Sequence, residues 1–117
     1  MRLNEISYND ALPIDGYGPV LFRIGGKKHD GPVMVLPTGV SAWGGYGDAE
    51  TVLSVVEQID VLFVGTGAEI AHLPKPFRDT LEDAGIGVEA MASPAACRTY
   101  NVLLSEGRRV AVALLPV

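Results

Sequence analysis

The densest group of residues able to do chemistry is Ser93-Pro94-Ala95-Ala96-Cys97-Arg98-Thr99-Tyr100-Asn101. A thiol in the first turns of a helix feels the partial positive charge of the helix N-terminus, which favours anions and lowers thiol pKa values. In that setting Cys97 is a nucleophile, with Arg98 and Asn101 available to hold a substrate anion. The plainer reading makes Cys97 a small core residue and Arg98 an exposed partner of a carboxylate. It makes Tyr100 a core-edge aromatic whose hydroxyl reaches water or a backbone group. A cysteine nucleophile also needs a base. The histidines are His29 and His72, in separate loops, and they could ligate a metal only if the fold brought them together with an acidic neighbour.

A second group is Val64-Gly65-Thr66-Gly67. It follows an apolar run, at the place where open α/β sheets hold ligands. Its glycines could expose N–H groups as an anion nest. A dinucleotide fingerprint would need a further glycine where Ile70 stands, and no Gly-Lys-Ser/Thr phosphate loop occurs. The commoner role of such glycines is a tight structural turn. Asp79, Glu82 and Asp83 sit at adjacent or helical spacing and read as a solvated face. Trp43, within the glycine-rich residues 39–47, is either a lid on the core or a contact for a partner.

The elements that must position these groups follow from periodicity. Asp15-Gly16-Tyr17-Gly18 reads as a turn, and residues 19–24 as a strand. A polar loop over 25–31 then leads to a second strand at 33–36, so these two strands are expected to form an antiparallel hairpin. Asp48 caps a helix with Ala49, Val52, Leu53, Val56 and Ile59 on its apolar side. A buried strand over 60–64 ends at Gly65-Thr66-Gly67. Pro74 and Pro76 open a helix whose stripe is Phe77, Leu81 and Ala84, with Gly85 as its stop.

A strand over 86–91 leads to Ser93-Pro94, a cap followed by a proline at the first helical position. That helix runs to about Ser105, burying Ala96, Tyr100, Leu103 and Leu104, with Cys97 beside them. Residues 110–115 are apolar at every position, the mark of a strand buried on both faces in the middle of a sheet. The fold class is α/β: a single domain over 1–117, three-layered, with a central mixed β-sheet flanked by helices and an N-terminal β-hairpin.

Composition sets the outer limits. The chain has 117 residues, 48% of them apolar and 20% charged, which is ordinary for one globular domain. Its net charge of −5 argues against a nucleic-acid partner, which would demand a basic face. One cysteine rules out an internal disulfide and any zinc site built from several thiolates. No apolar run approaches the roughly 18 residues of a membrane span. Met1–Glu5 lacks the apolar core of a secretion signal. The expectation is a soluble cytoplasmic domain with no metal and no cofactor.

Four stretches together resemble a known family. They are Ile14–Gly18, Leu62–Gly67, Gly85–Met91 and, most specifically, Ala95–Asn101 through Glu106-Gly107-Arg108-Arg109-Val110. In this order they are similar to the bacterial family called domain of unknown function 498. Its eukaryotic relatives include the mitochondrial NADH dehydrogenase alpha-subcomplex assembly factor three. The resemblance implies a single α/β domain with a mixed sheet, and a role in assembling respiratory complex I with other assembly factors. No catalytic residue set is established for the family, so the resemblance carries none over. The positions matching its signature are Gly65, Thr66, Gly67, Cys97, Arg98, Thr99, Tyr100 and Asn101.

Two functional expectations follow. The first is a non-enzymatic interaction domain, an assembly factor for respiratory complex I or another membrane complex. It requires an exposed apolar patch, around Trp43 or Tyr17. The second is a small-molecule or anion-binding protein or enzyme, with a site between the Gly65–Gly67 turn and the Cys97 helix. It requires those two features to line one cavity, with Arg98 or Asn101 pointing inward.

Overall fold

The computed structural model describes residues 12–117, so the expectation attached to Met1–Glu5 lies outside the described residues. Five short strands come first: β1 (Ile14–Gly18), β2 (Leu21–Ile24), β3 (Lys27–Asp30), β4 (Val33–Leu36) and β5 (Gly39–Ala42). A 3₁₀ turn at Gly45–Gly47 and helix α1 (Glu50–Leu53) precede β6 (Val61–Thr66). Helix α2 (Lys75–Asp83), β7 (Gly87–Met91), helix α3 (Ser93–Ser105) and β8 (Val110–Leu115) complete the order.

The sheet is organised around β8. Its order is β5-β4-β8-β6-β7, with β8 parallel to β6 and antiparallel to β4, so the sheet is mixed and β8 is its middle strand. Side chains alternate across a strand, and β8 divides accordingly. Ala111 and Ala113 face one core with Leu62, Val64, Val52, Phe77 and Leu81, which brings in α1 and α2. Val110, Val112 and Leu114 face the other with Phe63, Ala96, Cys97 and Tyr100, which brings in α3. The small residues on the α2 side and branched ones on the α3 side set the depth of the two layers. A fully apolar run was needed because both faces are covered.

The N-terminal region departs from its sequence pattern in pairing. β2 pairs with β3 and with β1, in a separate three-stranded antiparallel sheet, and β4 pairs with β5 and β8. The hairpin is therefore closed at Gly25 and Gly26, not across the whole polar loop. Both glycines have positive φ, 59° and 81°, the geometry that a two-residue hairpin turn imposes and that glycine adopts without strain. Lys27–Asp30 looked like loop because an edge strand can be charged along its length. Asp15–Gly18 is likewise strand and not turn. The ladder slips at Asp15, whose carboxylate accepts a hydrogen bond from Gly26 N–H at 2.9 Å. This small sheet packs Ile14, Phe22 and Ile24 into the α3-side core.

Three helical expectations need correction. The helix after Asp48 lasts only from Glu50 to Leu53. Beyond it Val55, Val56 and Gln58 donate to carbonyls three residues back, tighter turns that suit the β-branched residues Thr51, Val52, Val55 and Val56. Asp48 still serves this turn, since its Oδ1 accepts from the Thr51 N–H at 3.2 Å. Burial alone would raise the Asp48 carboxyl, but the Gly44 and Thr51 N–H groups and the Thr51 hydroxyl together hold it below the ordinary carboxylate range. In α2 the apolar stripe stops at Leu81, because Ala84 lies past the last turn and is exposed. Ser93 is the third case, and it belongs to the site.

Candidate functional site

The glycine turn and the Cys97 helix do meet, and what joins them is Ser93. Gly65 and Thr66 are the last residues of β6, so the turn begins only at Gly67 (φ 104°). Ser93 N–H donates to Gly67 O at 2.7 Å, and Gly67 N–H donates to Ser93 Oγ at 2.9 Å. The Ser93 hydroxyl in turn donates to Leu115 O at 2.6 Å. Ala92, not Ser93, is the N-cap of α3, and no side chain caps this helix. The fully buried Ser93 is instead a staple between the ends of β6 and β8. Its own bonds take the N–H that an anion nest at Gly67 would have offered.

Gly65 is required by the same closeness. A Cβ there would lie 2.6 Å from Ser93 Oγ and 2.8 Å from both Ser93 Cα and Leu114 Cδ2. The glycine is present because a helix start approaches strand backbone, a packing reason for its identity. Thr66 organises the loop that follows. Its hydroxyl donates toward Glu69 O at 2.7 Å and accepts from Ala71 N–H at 3.1 Å.

Further along α3 the polar residues divide by face. Cys97 is buried, and burial pushes its thiol up to about 11, with Arg98 opposing weakly. Such a thiol is protonated at neutral pH and is not the activated nucleophile that a helix start can produce. Tyr100 is fully buried, which raises its hydroxyl above the ordinary phenol value, and it donates to Leu12 O at 3.0 Å. Asn101 receives Ile14 N–H on Oδ1 and donates from Nδ2 to Ile14 O, each at 2.8 Å. Its amide thus mimics a neighbouring strand for one residue of β1. Arg98 points outward. With Thr99, Leu103 and Val102, which is 54% exposed, it lines a shallow groove of about 280 Å³ on the outer face of α3.

The other candidates fall elsewhere. Trp43 is 3% exposed and packs against Tyr46 and Phe77, with ring centroids 5.6 and 5.9 Å away. Its indole N–H donates to Asp48 O at 3.1 Å, so it closes the α2-side core and offers no surface. Tyr17 is 47% exposed on β1. Asp79 and Glu82 pair with Lys75 and Arg78 one helical turn away, on the solvated side of α2. Among the described residues no group of three or more His, Cys, Asp or Glu side chains gathers as a metal site. A cleft of about 440 Å³ lies beside β7, with Ile70, His72, Arg78, Val88 and Ala90 among its walls. Neither this cleft nor the groove on α3 is lined by Gly65, Thr66 or Gly67.

Sequence reasoning missed Ser93 and Asn101 as structural fasteners. Serine before proline signals a helix start, and nothing local says that its hydroxyl serves two strands distant in the chain. A signal for Asn101 existed in its position. An amide on the face next to a buried Tyr100 suggests a buried backbone partner.

Comparison with known proteins places this geometry. The family model for a protein of unknown function, DUF498/DUF598, matches residues 14–115. An uncharacterized protein of Rhodobacter capsulatus is 46% identical over 117 residues, all of this chain and 94% of its own length. NADH dehydrogenase [ubiquinone] 1 alpha subcomplex assembly factor 3 of Danio rerio is 38% identical over 110 residues, covering 88% of this chain. The chain spans 63% of that relative's length. Among solved structures, one described as an outer membrane protein from Bartonella henselae superposes with a TM-score of 0.85 at 38% identity, over 93% of this chain and 97% of its own. A Bordetella pertussis protein described as a Mth938-like domain gives 0.74 at 28% identity, over 99% and 92%. With its described strands and helices all inside the matched span, the chain belongs to the DUF498/DUF598 family, and it is related to the NADH dehydrogenase [ubiquinone] 1 alpha subcomplex assembly factor 3 proteins.

Proposed function

We propose that this chain is a non-enzymatic interaction domain, an assembly factor for respiratory complex I or another membrane complex. The observation that carries the reading is how the family signature is used. Gly65, Gly67, Tyr100 and Asn101 spend their polar groups or their smallness on joining strands to α3, and Cys97 is a protonated core thiol. What remains open to a partner from that signature is Arg98 with Thr99, beside exposed Val102 on the outer face of α3. Similarity to the assembly factor 3 proteins supports protein partners as the natural occupants of such a face. A bacterial, cytoplasmic setting is part of the reading. The bacterial part is supported by the three bacterial proteins compared, one of them described as an outer membrane protein, and the cytoplasmic part by the acidic charge balance.

The test is affinity purification from the native cell followed by mass spectrometry, with wild type and Arg98→Glu side by side. Complex I subunits or their assembly partners should be recovered with wild type and lost with Arg98→Glu. Normal complex I in a deletion strain, with nothing reproducible recovered, would overturn the reading.

A further inference from the structure

β5 is an end strand of the five-stranded sheet, and the ladder fixes which of its backbone groups look outward. Trp43 N–H donates to Pro32 O at 3.2 Å, which makes Pro32 and Trp43 a hydrogen-bonded couple. In an antiparallel ladder bonded and non-bonded couples alternate. Met34–Ser41 and Leu36–Gly39 are then the bonded couples of β4 and β5, and Val33–Ala42 and Val35–Val40 the non-bonded ones. The N–H and C=O groups of Val40 and Ala42 therefore point away from β4. Among the described residues, the side-chain bond recorded on them is a long one from Ser41 Oγ to Ala42 O, at 3.1 Å.

Unpaired strand edges invite other strands, and folds guard them with charge, bulges or covering side chains. The remaining edges here are guarded. β3 reads Lys27-Lys28-His29-Asp30, and β1 carries the irregularity at Asp15. On β7, Val88 O accepts a hydrogen bond from the Arg78 guanidinium at 3.1 Å, and Glu89 follows it. Among the described residues β5 carries no charge and no bulge, its side-chain cover is the Ser41 Oγ bond to the adjacent Ala42 O, and the stretch from Thr38 to Gly47 contains no charged residue.

We propose that β5 docks a second copy of this chain, the two strands pairing antiparallel about a two-fold axis at Ser41. Val40 of each copy faces Ala42 of the other, and each such couple exchanges both of its N–H···O bonds. Self-pairing is the occupant that this composition fits. A two-fold axis sets Ser41 against Ser41 and would set any charged residue near it against its own like, which destabilises a ladder. The segment has none to oppose. The contact is short, well under the roughly 1,200 Å² of a stable interface, and both copies carry a net charge of −5. The dimer is accordingly weak, concentration-dependent and strengthened by salt.

Sedimentation equilibrium of the full chain, from micromolar to millimolar, reads the mass directly. Wild type should rise toward the dimer mass with concentration, and further at high salt. Ser41→Lys, which opposes two lysines at the axis, should stay monomeric with an unchanged circular dichroism spectrum. Ala42→Pro, which deletes an outward N–H and leaves the β4 ladder intact, should do the same and covers the case where the lysine variant fails to fold. Amide exchange should slow at Val40 and Ala42 as concentration rises, while Ser41 is protected throughout. A wild type that is monomeric at millimolar concentration overturns the proposal, as does a dimer that survives both substitutions. Val40 and Ala42 amides already protected in the monomer would also overturn it, because the edge would then be covered within the chain.

Discussion

The junction of β6 with α3 and the open edge of β5 are opposites. The junction is dense in residues that suggest chemistry, and its polar groups are consumed internally: Gly67 N–H by Ser93 Oγ, and that hydroxyl's own proton by Leu115 O. The edge is built from Gly39-Val40-Ser41-Ala42, which suggests no chemistry, yet its backbone at Val40 and Ala42 faces outward. Polar groups in a fold are reactive or adhesive according to whether they are already satisfied, and side-chain type says little about that. The comparison also separates two ways of using glycine and serine. At Gly65 the missing Cβ allows contact within the chain, and at β5 small uncharged residues leave room for contact between chains.

If the junction is a structural fastening, filling it should cost most. Gly65→Ala puts a methyl against Ser93 backbone at 2.8 Å, and urea unfolding should show a loss of about 3 kcal/mol. Next comes the Cys97 thiol. Ionisation near 11 instead of 9.0 leaves about a hundredfold less thiolate at pH 8 than in the unfolded chain, so a thiol-specific disulfide reagent should label native Cys97 about that much more slowly. The sign for stability follows. The raised value favours the neutral thiol, so its contribution is fully present below about 9 and is lost as pH rises through about 11. Fast labelling at pH 8 with the fold intact would return Cys97 to the nucleophiles.

Ser93→Ala should cost about 2 kcal/mol by leaving Gly67 N–H and Leu115 O unpaired, read by the same denaturation. Tyr100→Phe keeps the ring and loses one bond to Leu12 O, so about 1 kcal/mol is expected. At the opposite pole, Ser41→Lys should change monomer stability by no more than about 0.5 kcal/mol, because among the described residues that side chain makes only a long bond to the adjacent Ala42 O. An effect as large as that of Gly65→Ala would erase the contrast between the two places.

Local pattern was sufficient where burial repeats along an element. The run Val110–Leu115 announced a central strand because both of its faces are covered, and Phe77 and Leu81 announced a helix packed on a sheet. It failed where two patterns compete. The glycines at 25 and 26 and the charged Lys27–Asp30 looked like one loop, because an edge strand and a loop share the same polarity. The helix after Asp48 looked longer than it is, because apolar spacing survives in a string of tight turns that β-branched valines favour. Among the site residues, Tyr100 reads as a core-edge aromatic whose hydroxyl reaches water or a backbone group, and the structure buries it fully with that hydroxyl on Leu12 O, while the bond made by Asn101 spans 87 positions and has no local trace.

The order of residues alone thus settled the layers and the central strand, since these depend on composition and on periodicities of two and 3.6 residues that each segment carries within itself. Tertiary structure decided which strand pairs with which, that Ser93 ties two strand ends instead of capping its helix, and which backbone groups are left facing outward. Those outcomes rest on distances between segments far apart in the chain, and hydrogen-bond satisfaction is a property of such distances.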